Sequence, residues 1–469
     1  MVRTIDRKFL LEHLENVKKH DTAQATDVLP FLTKRTRAIR GNFNNVLGEF
    51  IRNISGLKID NKVIGNQQMY FSSNEHELSA YIAEKVDFEN DDAKYDFIRF
   101  LDSYLFNQEE IKPIHPYLFN YIEVEKSLKN EFGKYGQFMY EVLVCDDSEI
   151  KEIFNNKDSE DILTELILKN IEGLKDTKHK ADQKKKHYQP LLENFTVYYR
   201  EDLKYLSKYK DYFLTSFPLL THYYVFMYVC QLLLKLEQFA DAKSDQVRSL
   251  YFALEWESIS KRRKAADDLE GFKYIKEKSS NLFPHIHTLS QLSYNGFNEE
   301  QKEKPVLLYH ELLGLIKQEG PDFEKEFLQE LKLWIKDYCG WAKVEVTDAS
   351  STIEEAFKVI FHCLKEGTNS GVASKYGGNI EDLGANQFIK NRGSLGQVLN
   401  VKQDFLMLMT AVCVKDKRMP LNDLFIEFEK RGIAFDRYSK KEIITLFNNH
   451  NILDKKSDSG DAQYVKPIL

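Results

Sequence analysis

Apolar residues recur every three to four positions through most of residues 1–365, the spacing of helices that bury one face. The segment "DFEKEFLQELKLWIKDYCGW" shows this well, with Phe323, Phe327, Leu331 and Trp334 separated by glutamates and lysines. Similar stripes occur in "AKYDFIRFLDSYLF", "DILTELILKNI" and "STIEEAFKVIFHCLKEG", where Gly367 is expected to end a helix. Strand-like segments are few, with "QQMYFSS" and "AKVEVTD" as candidates. The pattern therefore predicts a mainly α protein.

One uncharged stretch, from Tyr212 to Leu234, is long enough to cross a bilayer. It contains Pro218, His222 and tyrosines clustered at mid-span, whereas the tyrosines of spanning helices favour the membrane interfaces. We expect a buried helix of a large helical domain, with a membrane span as the alternative.

The distribution of glycine suggests how the chain is organised. A chain of 469 residues is too long for one ordinary core. The segment "GTNSGVASKYGGNIEDLGANQFIKNRGSLG" holds seven of the 21 glycines, which favours a loop or linker. We predict an N-terminal helical region (residues 1–180), a central helical region (190–365), a glycine-rich linker (366–400) and a winged-helix domain (401–469). A basic run at residues 175–190 is interpreted as a solvated boundary, with phosphate contact as the alternative.

The predicted winged helix follows from the order of its elements. "VKQDFLMLMTAVCVKDKR" and "PLNDLFIEFEKRG" have helical stripes, and Gly432 is placed to end the second in a left-handed conformation. In "FDRYSKKEIITLFNNHN", Ser439 and Glu442 have the spacing of a capping box, which predicts a helix that begins at Ser439. The tail "LDKKSDSGDAQYVKPIL" has two β-prone stretches around a Ser-Asp-Ser-Gly-Asp turn, so it is expected to form a hairpin, the wing.

A winged helix of this kind suggests contact with double-stranded DNA. The capped helix occupies the place of a recognition helix, and basic side chains beside it and in the wing would contact phosphates. The candidate nucleic-acid-binding residues are Arg437, Lys440, Lys441, Thr445, Asn449, Lys455 and Lys456. Winged helices also dock proteins, and residues 401–469 carry twelve basic and ten acidic side chains, a weak cationic signature. Docking of a partner protein therefore stands beside DNA contact.

Composition and charge narrow the choice of function. The formal net charge of −7 excludes a uniformly cationic coat but allows local basic patches. The five cysteines form no C-x-x-C pair, which suits a reducing cytoplasm and indicates neither a disulfide framework nor a zinc module. The N-terminus is interpreted as an amphipathic helix with Leu10, Leu14 and Val17 on one face, and not as a signal peptide.

No motif in the sequence indicates a catalytic site. The sequence has no P-loop, nucleophile elbow or H-E-x-x-H motif. "PDFEKEFLQELK" has the spacing of a PD-x-E-x-K nuclease, but Asp322 begins an amphipathic helix and Glu330 lies about 12 Å further along it, too far for one metal ion. His285 and His287 are interpreted as buried or capping residues, with metal binding as the alternative. The run from Lys261 to Lys264 is interpreted as solvated, with contact to phosphate or an acidic partner as the alternative. We assign no catalytic residue, metal or cofactor.

Several strings spread over most of the chain resemble the DptG family (also called DndG), a subunit of the bacterial DNA phosphorothioation-dependent restriction system. They are the ending "RGIAFDRYSKKEIITLFNNHNILDKKSDSGDAQYVKPIL", the early "FLTKRTRAIRGNFNNVLGEF", and the central "YFALEWESISKRRKA" and "LFPHIHTLSQL". The resemblance implies a cytoplasmic phage-defence protein that works beside a nucleotide-triphosphatase subunit and a helicase- or translocase-like subunit. Together, such subunits restrict DNA that lacks the sulfur-modified backbone.

We therefore expect a non-catalytic adaptor whose helical body binds the NTPase and helicase-like partners and whose winged helix contacts DNA. One alternative is a metal-dependent nuclease with a site assembled from residues distant in sequence. Another is a winged-helix subunit of a chromosome-condensing complex.

Overall fold

The computed structural model describes residues 4–17, 28–60, 79, 82–84, 86–107, 110–111, 113–171, 173–177, 186–243, 246–258, 270–300, 306–345, 347–455 and 463–469. Helix makes up 63% of the structure and strand 8%, which confirms the mainly α prediction. The candidate strand "QQMYFSS" and the basic run from Lys261 to Lys264 lie outside the described residues.

The α-helices, in chain order, are α1 Arg7–Val17, α2 Asn44–Ser55, α3 Asp91–Leu105, α4 Lys129–Met139, α5 Ser148–Asn155, α6 Ile162–Asn170, α7 Glu193–Leu206, α8 Lys210–Leu236, α9 Phe272–Lys278, α10 Leu282–Leu292, α11 Gly296–Glu300, α12 Tyr309–Gln318, α13 Pro321–Ala342, α14 Ile353–Gly367, α15 Ser370–Gly377, α16 Asn379–Gly384, α17 Gln403–Val414, α18 Leu421–Lys430 and α19 Arg437–Asn449.

The strands are β1 Leu57–Ile59, β2 Phe106–Asn107, β3 Glu110–Ile111, β4 Leu174–Asp176, β5 Leu250–Leu254, β6 Ile389–Asn391, β7 Gln397–Val401, β8 Met419–Pro420, β9 Ile433–Ala434, β10 Leu453–Lys455 and β11 Gln463–Val465.

The chain divides into two compact units that do not follow the predicted boundaries. Unit 1 comprises Met1–Gly41, His187–Tyr198 and Tyr223–Leu469, and unit 2 comprises Asn42–Lys186 and Tyr199–His222. The chain therefore leaves unit 1 twice, the second time within α7, and returns within α8. A linear order of domains was not the right description of this chain.

Unit 2 is built around α2, which packs against α4. Gly136 permits the close approach, because a Cβ atom there would lie 2.8 Å from the Cβ atom of Glu49. A separate apolar cluster includes Leu101, Leu118 and Ile167, all fully buried. The strands of this unit are short antiparallel pairs, β1 with β4 and β2 with β3.

Unit 1 contains a four-stranded sheet with the order β6-β7-β5-β9. The central strand β5 runs parallel to both β7 and β9, and β6 forms an antiparallel pair with β7. All five side chains of β5 are buried, as is typical of a strand covered on both faces. This sheet was not predicted from the sequence.

The segment predicted as a linker, residues 366–400, instead contains α15, α16, β6 and β7 of unit 1. Several of its glycines serve close packing, whereas Gly393 and Gly396 have positive φ angles and open space around them. A Cβ atom on Gly378 would lie 2.6 Å from a guanidinium nitrogen of Arg35, and one on Gly377 would meet the backbone of Ser279. Arg35 in turn forms a salt bridge with the fully buried carboxylate of Asp382.

The apolar stretch predicted as a buried helix forms α8, and 89% of its most apolar 18-residue window is buried. Within the described ranges, α8 is the one helix long and apolar enough to cross a membrane. The candidate strand "AKVEVTD" is wrong, because α13 continues to Ala342 and ends with Lys343 in the left-handed conformation. Of the predicted N-terminal stripe, Leu10 and Leu14 are fully buried in α1.

The C-terminal residues of unit 1 have the order α17, β8, α18, β9, α19, β10, β11. The strands β8, β11 and β10 form an antiparallel sheet with β11 in the centre. The predicted core residues Phe405, Leu424, Phe428, Ile443 and Phe447 are all buried. Gly432 has a φ of 89°, which confirms its predicted left-handed conformation after α18.

Candidate nucleic-acid interface

Helix α19 begins earlier than its sequence suggested. Asp436 is its N-cap, and the Oδ1 atom of this side chain accepts hydrogen bonds from the backbone amides of Tyr438 (2.9 Å) and Ser439 (2.8 Å). An N-cap aspartate satisfies amides that have no partner within the helix. Because Asp436 performs this role, the helix begins at Arg437, and the predicted capping box of Ser439 and Glu442 is wrong.

Ser439 is instead an anchor between α19 and the end of β5. Its hydroxyl is fully buried and lies 3.1 Å from each carboxylate oxygen of Glu257. Glu257 is 6% exposed and also accepts a hydrogen bond from the backbone amide of Leu254, the last residue of β5. The two residues are 182 positions apart, so no local sequence signal predicts this contact.

The outward side of α19 is a continuous polar stripe. At about 100° per residue, its members span about 140° of the helix circumference. We call this set the α19 stripe, and it consists of Arg437, Tyr438, Lys441, Glu442, Thr445, Asn448 and Asn449. All seven are exposed, and they include four of the predicted binding residues: Arg437, Lys441, Thr445 and Asn449.

Lys440, also a predicted binding residue, does not belong to the α19 stripe. Its Nζ atom lies 4.8 Å from the centre of the Phe425 ring and 3.8 Å from the carboxylate of Glu429. Phe425 and Glu429 are both on α18. The side chain of Lys440 therefore joins the two helices, and its charge is partly balanced by Glu429.

Arg437 packs against the neighbouring aromatic ring. Its guanidinium group lies 4.7 Å from the centre of the Tyr438 ring and donates a hydrogen bond of 2.7 Å to the Tyr438 hydroxyl. A planar guanidinium retains further donors that match phosphate geometry. Arg437 and Tyr438 together present a cation and an aromatic edge at the beginning of the stripe.

Of the predicted wing residues Lys455 and Lys456, the structure describes only the backbone of Lys455. The backbone of Lys455 pairs with Gln463 in the β10–β11 ladder. The side chain of Lys455 and the whole of Lys456 lie outside the described residues.

Beside the β10–β11 pair, Arg418 is 66% exposed and forms a 2.9 Å salt bridge with Asp454. Arg418 is a further cation of this surface and was not among the predicted binding residues. Its only sequence signal was its place directly before β8, in the run Lys415 to Arg418.

Lys430 at the end of α18 and Arg431, which follows it, both form salt bridges with the carboxylate of Glu427. Burial alone would raise the pKa of Glu427, but hydrogen bonds from Lys430 and Arg431 outweigh it and lower that pKa. The hydrogen bond to Glu427 likewise raises the pKa of Lys430. These pairs partly offset the positive charges of Lys430 and Arg431.

The candidate catalytic strings have structural roles. His285 is fully buried in α10, where its ring nitrogens lie 3.0 Å from the Tyr309 hydroxyl and 3.2 Å from Glu237, so its interpretation as a buried histidine is confirmed. Pro321 begins α13, and Glu330 forms a salt bridge with Arg7, which confirms the helical interpretation of the PD-x-E-x-K string. Among the described residues, no group of three or more His, Cys, Asp or Glu side chains is placed to hold a metal ion.

No protein-family model matches the chain, and no curated protein matches it.

Proposed function

We propose that residues 401–469 act as a winged helix and that the α19 stripe contacts double-stranded DNA. The observation that carries this proposal is the exposed, polar side of α19 next to an antiparallel sheet of β8, β11 and β10. Apart from the two-residue strand β9, the order from α17 to β11 is helix, strand, two helices and a pair of strands, which is the order of elements in a winged helix. In helix-turn-helix proteins, the helix in the corresponding place enters the major groove.

The chemistry of the α19 stripe suits such a contact. Arg437 and Lys441 supply charges for phosphates, and the hydroxyl of Thr445 supplies a further hydrogen-bonding group. The amides of Asn448 and Asn449 are able to read an adenine edge. Since Ser439 is buried against Glu257, contacts would come from the outward side of the helix and not from every residue of its first turn.

We further propose that the chain is a non-catalytic, cytoplasmic subunit of a phosphorothioation-dependent restriction complex. This proposal is supported by the resemblance of strings across the chain to the DptG family. The helical body would bind the nucleotide-triphosphatase and helicase-like subunits, and α19 would hold the assembly on DNA. ATP-dependent steps would then belong to the partner subunits.

The DNA contact is tested by fluorescence anisotropy of the full chain with a labelled duplex across a salt series. The test variant is Arg437→Glu/Lys441→Glu. The matched control is Lys273→Glu/Lys325→Glu, which makes the same charge change at side chains that are 86% and 80% exposed.

We expect the test variant to bind at least about tenfold more weakly and to reduce the salt slope by about 2, since each lost phosphate contact removes about 0.9 from it. The control should bind like the unmodified chain. Equal weakening of both variants, or tight binding by both, would overturn a specific role of the α19 stripe.

Docking of a partner protein is the second candidate for this surface. The observation in its favour is the near balance of charge in residues 401–469, together with Glu442 in the α19 stripe itself. In this case, the Arg437→Glu/Lys441→Glu variant would leave DNA binding unchanged and would lose co-purification with the NTPase or helicase-like subunit. Loss of DNA binding with retained co-purification favours the first proposal.

A further inference from the structure

Two free cysteines face each other across a helix pair of unit 1. Cys339 is on α13 and Cys363 is on α14, and their Sγ atoms lie 3.1 Å apart. The S–S bond of a disulfide is about 2.05 Å long, so about 1 Å of approach separates this thiol pair from a bond. The 24 positions between them make this a tertiary contact and not a local one.

The packing of the two helices holds this thiol pair in place. α13 and α14 lie side by side, and Gly367 permits their close approach, because a Cβ atom there would meet the Tyr338 hydroxyl and lie 3.2 Å from the Cβ atom of Ala342. Trp334 and Tyr338 on one helix are fully buried, as is Ile360 on the other. The two thiols are therefore already in contact in the folded chain.

We propose that Cys339 and Cys363 form a reversible intramolecular disulfide when the chain meets a hydroperoxide. Cys339 is partly exposed whereas Cys363 is fully buried, so Cys339 is the thiol that reacts first. Burial and then the neighbouring Cys339 raise the pKa of Cys363, which keeps that residue a thiol until the second step.

The reaction balances in two steps. The Cys339 thiolate attacks hydrogen peroxide, an S–O bond forms, the O–O bond breaks, and hydroxide leaves as water after taking a proton. Cys363 then attacks the sulfur of the Cys339 sulfenic acid, the S–S bond forms, and the hydroxyl leaves as a second water with the Cys363 proton. The two thiols are oxidised by two electrons, and the peroxide is reduced to two waters.

Peptide mapping of the full chain tests this inference directly. The reduced protein is treated with graded hydrogen peroxide, alkylated, and digested with trypsin. Cleavage after lysine places Cys339 in "DYCGWAK" and Cys363 in "VIFHCLK". We expect these two peptides to appear joined, in a monomeric chain two hydrogens lighter, and to separate again after treatment with dithiothreitol.

Matched variants define the pair. Cys339→Ser and Cys363→Ser should each abolish the joined peptide, whereas Cys413→Ser, at another buried cysteine, should retain it. The unmodified chain should also gain thermal stability on oxidation, because a cross-link restricts the unfolded state.

Two results would overturn the inference. One is recovery of both peptides separately, whether alkylated or carrying a sulfinic acid at Cys339. The other is a bond from Cys339 to a different cysteine or to a second chain. The map of the unmodified protein decides this even if a serine variant fails to fold.

Discussion

At the scale of single residues, His285 shows how a polar group is accommodated in the core of unit 1. Its ring lies between Tyr309 and Glu237, and it stacks on Phe361 with ring centres 4.1 Å apart. Burial alone would raise the pKa of Glu237, but hydrogen bonds from His285, Asn281 and Lys278 outweigh it and lower that pKa to about 2. For His285, burial is the dominant cause and lowers the pKa despite Glu237.

The lowered pKa of His285 predicts a loss of stability in mild acid. In the unfolded chain, the His285 imidazole takes up a proton near pH 6.5. In the folded protein, it takes up the proton only at a lower pH. The unfolded state therefore binds more protons as the pH falls below about 6.5, and the free energy of unfolding decreases. His115 and His310 have pKa values lowered by burial too and should add to this decrease.

Urea unfolding at pH 7.5 and pH 5.5 measures this effect. The chain's three tryptophans all lie in unit 1, so their fluorescence reports on the unit that contains His285. We expect the unmodified protein to lose stability between the two values, and His285→Gln, which cannot titrate, to lose less. If the free energy of unfolding of His285→Gln decreased as steeply between the two pH values, His285 would be excluded as a cause of the acid destabilisation.

At the scale of elements, the beginning of α19 shows what a local pattern was able to predict. A spacing of three and four between apolar residues predicted the helix and its inward residues Ile443 and Phe447. The same spacing predicted that Lys441, Thr445 and Asn449 are exposed. The cap did not, because aspartate and serine are both favoured N-cap residues, and the structure uses Asp436 where Ser439 was predicted. The decision depends on Glu257, a partner distant in the sequence.

Substitutions at the beginning of α19 distinguish the two N-cap assignments, Asp436 and the Ser439–Glu442 capping box. Asp436→Ala should lower the free energy of unfolding by about 1 kcal/mol, since it removes the cap. Ser439→Ala should cost about 1.5–3 kcal/mol, because the buried carboxylate of Glu257 loses one of its donors. Glu442→Ala should change stability by less than about 0.5 kcal/mol, as at other exposed sites. Urea unfolding checks all three, and a cost at Glu442 equal to that at Asp436 would restore the capping box.

Strand β5 was missed for a different reason. A strand with one solvated face shows alternation, but Leu250–Leu254 is buried on both faces and is only five residues long. Such a short apolar run is compatible with a helix or a strand until its neighbours are known. Those neighbours, β7 and β9, lie far along the chain.

At the scale of the whole molecule, the amount of helix was predictable and the division into units was not. The helical stripes alone establish a mainly α chain, and 63% helix is observed. Domain boundaries were placed where composition changes, but residues 366–400 contain helices and strands, and Gly377, Gly378 and Gly384 among them allow close packing. Composition does not distinguish a glycine needed for close packing from one in a linker.

The position of β9 also determines which protein should be used in experiments. β9 lies within the proposed winged helix and pairs with β5. Ile433 of β9 lies opposite Leu250 of β5, which is 183 positions earlier in the chain. The hydroxyl of Ser439 likewise donates a hydrogen bond to Glu257, which lies outside residues 401–469. A fragment of residues 401–469 would lose both partners, so DNA binding has to be measured on the full chain.

Site-specific photo-crosslinking from the α19 stripe tests most directly whether this surface contacts DNA. Thr445, in the middle of the stripe, is replaced in the full chain by p-benzoylphenylalanine and irradiated with labelled duplex in the presence of the proposed NTPase and helicase-like partner subunits. Ile426 on α18, which is 50% exposed, is the control position. We expect a protein–DNA adduct from position 445 and little from position 426. An adduct from position 445 with a partner protein and none with DNA would contradict the DNA contact and identify the stripe as a docking surface.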